Sequence, residues 1–184
     1  MKNELGEAVM TANFTAVSEL ITCGADVNAL DVTLWQRPLS AAIYWIDEPA
    51  ARHRMMKQLL DLGANQKLIN HEPERLGPLF DAVLREDADA LRILLEAGAD
   101  PNAEMCTTGE SLYDYAEFQY RYERGWLSKI PEVPTEIDGS SEEHWIGFLD
   151  RMAIRCGALR PAYLVVLRDG GARRLKEQTI DADR

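Results

Sequence analysis

Few residues in this 184-residue chain are of a type and spacing that could do bond-making chemistry. The three histidines, His53, His71 and His144, are scattered, and none has a second histidine at metal-ligand spacing. They read as solvated surface residues. The three cysteines, Cys23, Cys106 and Cys156, form no CxxC pair. Cys23 and Cys156 each stand directly before a glycine at the end of an apolar stripe and read as half-buried fillers, while Cys106 is the thiol expected to be exposed. The 31 carboxylates are numerous enough that close pairs arise by chance, so no acid–base pair is assigned. No nucleophile elbow, phosphate loop or dinucleotide fingerprint is present. The reading is therefore no catalytic residue, no metal, no cofactor, and not an enzyme. The chemistry left is recognition, for which Trp, Tyr and Arg are the enriched residue types. The candidates are Trp35, Tyr44, Trp45, Asp81, Arg85, Asp114 and Phe118.

What positions these residues is a repeated unit. Residues 82–103 read AVLREDADALRILLEAGADPNA, and residues 8–29 read AVMTANFTAVSELITCGADVNA. The two align without a gap at a separation of 74 residues. Leu91, Leu94 and Leu95 recur at helical spacing, and Gly98 follows one turn later. Glycine suits that place because the residue ending a helix often takes a left-handed backbone, which a Cβ disfavours. Leu59–Asn65 repeats the same ending, and Pro38–Ile43 repeats Pro78–Val83. Gly109–Ala116 opens a fourth copy, which Met152–Ala158 is expected to close. The anchor glycines 24, 63 and 98 lie 39 and 35 residues apart, within the period of stacked helical repeats.

These segments resemble the ankyrin repeat family, whose pattern runs roughly G-x-T-P-L-H-x-A-A and then to L-L-x-x-G-A-D-x-N. RPLSAA, GPLFDA, GESLYDYA and the three GAD or GAN endings carry the resemblance over about residues 5–160. Ser40, Phe80 and Asp114 stand where the family has its histidine. The resemblance implies an all-α solenoid of about four helix–turn–helix repeats with finger loops, and partner binding without catalysis. It also implies fingers at Val27–Arg37, Gln66–Gly77 and Ala103–Thr108.

Composition bounds the partners. Nearly half of the residues are apolar, ordinary for a globular domain, and no apolar run approaches a membrane span. The start MKNELGEAVM has no apolar secretory core, and the unpaired cysteines suit a reducing compartment, so a cytoplasmic location is expected. A net charge of −11 argues against nucleic acid and anionic membranes and suits a basic protein partner, or solubility alone. The chain is expected to be monomeric on its own.

Two interruptions break the pattern. Ala42 to Gly63 spans 21 residues against 16 for Ala82 to Gly98, which places an insertion near Tyr44–Arg54. Residues 128–143, SKIPEVPTEIDGSSEE, read as a loop because two prolines, a glycine and acidic bias oppose regular structure. Ser140 or Ser141 is expected to cap the helix that follows. The tail after residue 160 has two readings. The favoured one is a β-hairpin turning at Asp169-Gly170, and the other is a capping helix beginning at Pro161. Domain limits are expected at 1–160 for the repeats and 161–184 for the cap and tail.

The function expected is a protein-binding module using the concave face and fingers. Trp35, Tyr44, Trp45, Asp81, Arg85, Asp114 and Phe118 are expected to line that face, with Asp31, Asp47, Asp81 and Asp114 as an acidic rim. The alternative is an immunity or inhibitor protein that neutralises a basic toxin or enzyme.

Overall fold

The computed structural model describes residues 4–33, 35–70, 76–103, 109–123, 130–158 and 160–182. His71 and Cys106 lie outside the described residues, as do parts of the second and third fingers.

Helices pair as the glycine spacing requires. The first pair is α1 (Glu4–Met10) and α2 (Phe14–Thr22), the second α3 (Pro38–Trp45) and α4 (Pro49–Asp61), and the third α5 (Pro78–Leu84) and α6 (Ala88–Glu96). Proline opens α3, α4 and α5, where its missing N–H is not needed. Side chains cap the outer helices: Asn13 Oδ1 accepts from the Ala16 N–H at 3.1 Å, and Asp87 Oδ1 from the Ala90 N–H at 2.9 Å. At α4 the cap is Glu48, whose carboxylate takes the N–H groups of Ala50 and Ala51; the neighbouring Asp47 does not cap. Gly24, Gly63 and Gly98 end the outer helices at φ of +101°, +95° and +87°. In each case the next N–H returns to a carbonyl five residues back, as from Ala99 to Leu94 at 3.0 Å.

The fourth pair departs from the expected one. It is formed by α7 (Leu112–Phe118) and α9 (Ala162–Asp169), not by the helix ending at Ala158. The helix α9 packs on α6 and α7 and extends the outer row α4–α6, which Gln58 ties to α2 through the Phe14 carbonyl and Ser18 Oγ; α1, α3 and α5 stack as the inner row, and the Phe80–Tyr115 ring contact joins α5 to α7. Gly171, at φ +91°, ends α9, and the Ala172 N–H bonds the Leu167 carbonyl at 2.9 Å. Seven residues before each stacking glycine stands a fully buried apolar residue: Val17, Met56, Leu91 and Leu164. The tail is therefore helical, and the hairpin expected at Asp169-Gly170 is replaced by a helix stop. Asp169 ends the helix and Gly170 caps it, while Gly171, the residue after the expected turn, supplies the left-handed backbone. Leu175–Ala182 forms a final helix, α10.

Between α7 and α9 lies an inserted module. The chain continues from α7 through a π-helical turn, Gln119–Glu123, and returns as α8 (Glu142–Arg155), capped by Ser141. The α8 helix packs on the π turn through a buried stripe of Phe148, Leu149, Met152 and Ala153. Residues 130–141 form turns rather than a regular element. Within them Ile130 packs against the core while Val133 and Ile137 stay exposed. Arg155–Glu132 and Arg151–Asp138 ion pairs tie the stretch to α8, the second at 2.7 Å.

Candidate functional site

The ends of the inner helices carry exposed aromatic side chains. Val9, Ile43 and Val83 share one position and are fully buried, each facing the neighbouring repeat. The next residue in each repeat points outward. It is Met10 in α1, then Tyr44, Leu84 and Phe118, which are 41%, 39% and 46% exposed. Because equivalent positions of stacked repeats align, these residues form a ridge along the array. Tyr44 and Trp45 meet edge to face, with ring centroids 5.0 Å apart.

The ridge is held from beneath by Arg85. Its Nε–H donates to the Ile43 carbonyl at 3.2 Å, and its Nη2 donates to the Tyr44 carbonyl and pairs with Asp47 at 3.0 Å. The same guanidinium lies 6.0 Å from the Tyr44 ring centre. One arginine of repeat three thus fixes the exposed end of repeat two. Trp45 Nε1–H donates to Gln36 Oε1 at 2.7 Å, and the Gln36 carbonyl accepts the Asp31 N–H at 2.9 Å, which joins the first finger to the ridge. On that finger Trp35 is exposed and sits at φ +53°, a strained backbone for a side chain of its size. At the far end Phe118 packs on Tyr122 with centroids 4.7 Å apart, and Tyr122 Oη accepts from Trp145 Nε1–H at 2.9 Å.

The acidic candidates are placed otherwise than expected. Asp81 is buried between α3 and α5, where Asn70 Nδ2 donates to it at 3.3 Å and to Ser40 Oγ at 2.9 Å. Burial pushes its carboxyl up to about 7, against the opposing hydrogen bonds of Ser40 and Asn70. An aspartate one turn into an inner helix faces the neighbouring repeat rather than the solvent, which corrects its expected exposure. Asp114 accepts from Ser111 Oγ at 2.7 Å and from the Leu175 N–H at 2.8 Å, so it joins α7 to α10. Asp31 is buried in the finger and receives the Thr33 N–H at 2.8 Å. Of the four rim carboxylates only Asp47 is fully exposed, and it pairs with Arg85. Among the described residues the expected four-carboxylate rim is reduced to Asp47.

Sequence reasoning passed over two charged centres. In the first, His53, expected on the open surface, lies with Nε2 2.9 Å from both carboxylate oxygens of Asp87. Arg52 Nε–H also donates to Asp87, at 2.7 Å. Burial raises the Asp87 carboxyl, but the bonds from the Ala90 N–H, His53 and Arg52 outweigh it and hold the group below its ordinary range. The second centre is Glu117, which occupies the place of Val83 and Ile43 and is equally buried. Arg174 binds it at 2.8 Å, Arg160 at 3.2 Å and Arg121 at 3.3 Å. Burial pushes this carboxyl up too, and the bonds and charges of Arg174 and Arg121 more than offset that. A carboxylate at a position that is apolar in every other repeat is the signal that would have found it. Among the described residues no group of three His, Cys, Asp or Glu side chains could hold a metal, and no helix is long and apolar enough to cross a membrane.

The geometry has a solved counterpart. The crystal structure of the ankyrin repeat domain of Bcl-3, a member of the IkappaB protein family, superposes with a TM-score of 0.51 at 26% identity, over 59% of this chain and 44% of that one. The fold is the ankyrin repeat. This chain's ankyrin array spans less than half of the Bcl-3 domain it matches. No protein-family model matches the sequence, and no curated protein matches it. The ankyrin inner helices are those that carry the ridge, and the finger bearing Trp35 precedes the second of them.

Proposed function

We propose that the chain is a non-catalytic module that binds a partner protein along the inner-helix ridge and the first finger. The observation that carries this reading is the alternation at the helix ends. Ile43, Val83 and Glu117 are at most 2% exposed, while the residues immediately after them, Tyr44, Leu84 and Phe118, are large, apolar and open. Monomeric proteins seldom leave apolar side chains aligned in a row without a use for them. Arg85 and Gln36 hold Tyr44 and Trp45 in place before any partner arrives, which lowers the ordering cost of binding. The net charge of −11 favours a basic partner through long-range attraction.

The test is affinity capture with the wild-type chain and with Tyr44→Ala/Trp45→Ala, followed by kinetic binding to the captured protein. A partner held by wild type and lost by the double variant supports the reading. Equal capture by both chains moves the interface off the ridge.

A further inference from the structure

The inserted module and α10 enclose a second feature, a pocket of about 420 Å³ at the end of the array. That volume suits a small ligand or a single large side chain. Phe118, Tyr122 and Trp145 form its apolar walls, and Leu175 closes one side. Glu117, Arg121 and Arg174 line its arginine floor. Arg160, which shares the Glu117 carboxylate with them, and Asp150, which pairs with Arg121, lie outside the lining.

Arg121 is the anomaly. It is 4% exposed, yet its hydrogen bonds are long, at 3.3 Å to Glu117 and 3.5 Å to Asp150. Among the described residues its buried Nε–H has no hydrogen-bond partner, although Asp150 Oδ1 lies 3.4 Å away, out of alignment. A buried guanidinium usually engages its donors fully, because each unmet one carries a desolvation cost. Arg174 and Lys176 complete the positive side of the lining. The acids that also line the pocket are Glu117, already engaged by the arginines, Asp114, which accepts from Ser111 and Leu175, and Glu110. The π-helical turn supplies both Arg121 and Tyr122, and such turns often mark functional places in helices.

We propose that this pocket binds a carboxylate carried on an apolar or aromatic body. The arginine floor receives the carboxylate, and Phe118, Tyr122 and Trp145 enclose the body. Two sources carry that chemistry: the C-terminal residue of a peptide and a small aryl acid. The site is separate from the partner ridge, which it meets only at Phe118, and either can fail without the other.

The experiment is isothermal titration calorimetry of the full chain with N-acetyltryptophan and, separately, N-acetyltryptophan amide. A second arm uses a short peptide ending in tryptophan, with its C-terminus free or amidated. The acid form is expected to bind at least about tenfold more tightly than the amide, since a charged acceptor strengthens the bonds to the arginine floor. Tight binding of the small acid points to a free ligand, and binding of the peptide acid alone points to a chain end. Lys176→Gln should weaken the acid severalfold and leave the amide unchanged, whereas Trp145→Leu should weaken both. These variants are chosen outside the Glu117 cluster so that the fold persists. Equal affinity for acid and amide, or no binding of any probe to wild type at about 10 mM, overturns the proposal.

Discussion

Asn102 grips the stop of a helix 69 residues away: its Nδ2–H donates to the Gly171 carbonyl at 3.0 Å, and its Oδ1 accepts the Arg173 N–H at 2.9 Å. Asn28 holds Gly63 and Asn65 through the same two bonds, at 3.1 Å and 2.7 Å. The pairing identifies α9 as the outer helix of the fourth repeat independently of the helix packing. In repeat two Lys67 stands at the asparagine position, and Gln66 reaches the Ala97 carbonyl instead, at 2.6 Å. Asn102→Ala should therefore cost about 1–2 kcal/mol, from two lost bonds to backbone groups on a partly solvated edge. Hydrogen exchange should quicken in α9 and α10 while α1–α4 keep their protection. A uniform change across the chain would show that the fourth repeat does not open separately.

Glu117 should be the residue on which the end of the array most depends. It joins the inner helix, the π turn, the entry to α9 and the entry to α10 through its arginines. Glu117→Gln leaves buried guanidinium groups without a counter-charge, and about 3–5 kcal/mol of stability should be lost. The sign with pH follows from its lowered carboxyl. Its contribution is complete above the ordinary carboxylate range and disappears as pH falls through the folded value. Denaturant midpoints measured from pH 7 down to pH 3 should drop in wild type and drop less in the variant. Parallel curves would remove Glu117 as the cause.

Asp81 works in the opposite direction. Its carboxyl rises from 3.8 to about 7 on folding because it is buried with only Ser40 and Asn70 for company. The folded chain then holds a proton that the unfolded chain has released, so this group's contribution falls as pH climbs from about 4 to about 7 and is level above. Asp81→Asn keeps the shape and removes the titration. It should stabilise the chain at pH 8, by at most about 4 kcal/mol, and have little effect at pH 4. A variant less stable than wild type at pH 8 would mean that the charged form is better solvated than its burial implies.

The repeat itself was legible from the chain, and the closing helix was not. The glycine stops, the prolines opening inner helices and the apolar stripes are local, and each local preference agrees with its place in the stack. The error at the fourth repeat came from two helix stops that look alike. Gly157 and Gly171 are both left-handed, and in both cases the next N–H bonds a carbonyl five residues back. The discriminating position lies seven residues before each glycine. There Leu164 continues the buried series Val17, Met56, Leu91, whereas Asp150 breaks it with a half-exposed acid. The ridge was legible in part, since Tyr44, Trp45 and Phe118 are aromatic. Leu84 passed unnoticed because a leucine beside a valine reads as core, and only the register shows that it points outward. Asp81 and Glu117 depend on long-range partners, Asn70 and Arg174, that no local pattern brings together.

Leu94 and Gly98 give a calibration of the repeat. Leu94 is fully buried, and Leu94→Ala should cost roughly 2–5 kcal/mol. A Cβ at Gly98 meets only Gln66 Nε2 at 3.6 Å, so space is not the obstacle. The φ of +87° is, and Gly98→Val should cost more than about 1 kcal/mol through backbone strain alone. Equal midpoints for Gly98→Val and wild type would show that the helix ends without the left-handed residue.

The ridge prediction separates apolar contact from charge. Trp45 is half exposed, yet its indole N–H is fixed on Gln36 and its ring on Tyr44, so it meets a partner in a set orientation. Such an anchor acts mainly on dissociation, because it is lost only when the complex separates. Trp45→Ala should weaken partner binding by at least about 2 kcal/mol, chiefly through a faster off-rate. Asp47 is exposed and pairs with Arg85, so Asp47→Lys should alter association and salt dependence. It should also release Arg85, the residue that holds the Tyr44 carbonyl. Arg85→Ala is the sharper variant, since it removes that support without touching an exposed aromatic ring. If the ridge binds as a preformed surface, Arg85→Ala should weaken binding in the same direction as Trp45→Ala, and the double variant should fall short of the sum, because both changes disturb the same end of α3. Surface plasmon resonance on the four chains checks this. Strict additivity would show that Arg85 and Trp45 act at separate contacts and that the end of α3 is not held ready by its neighbour.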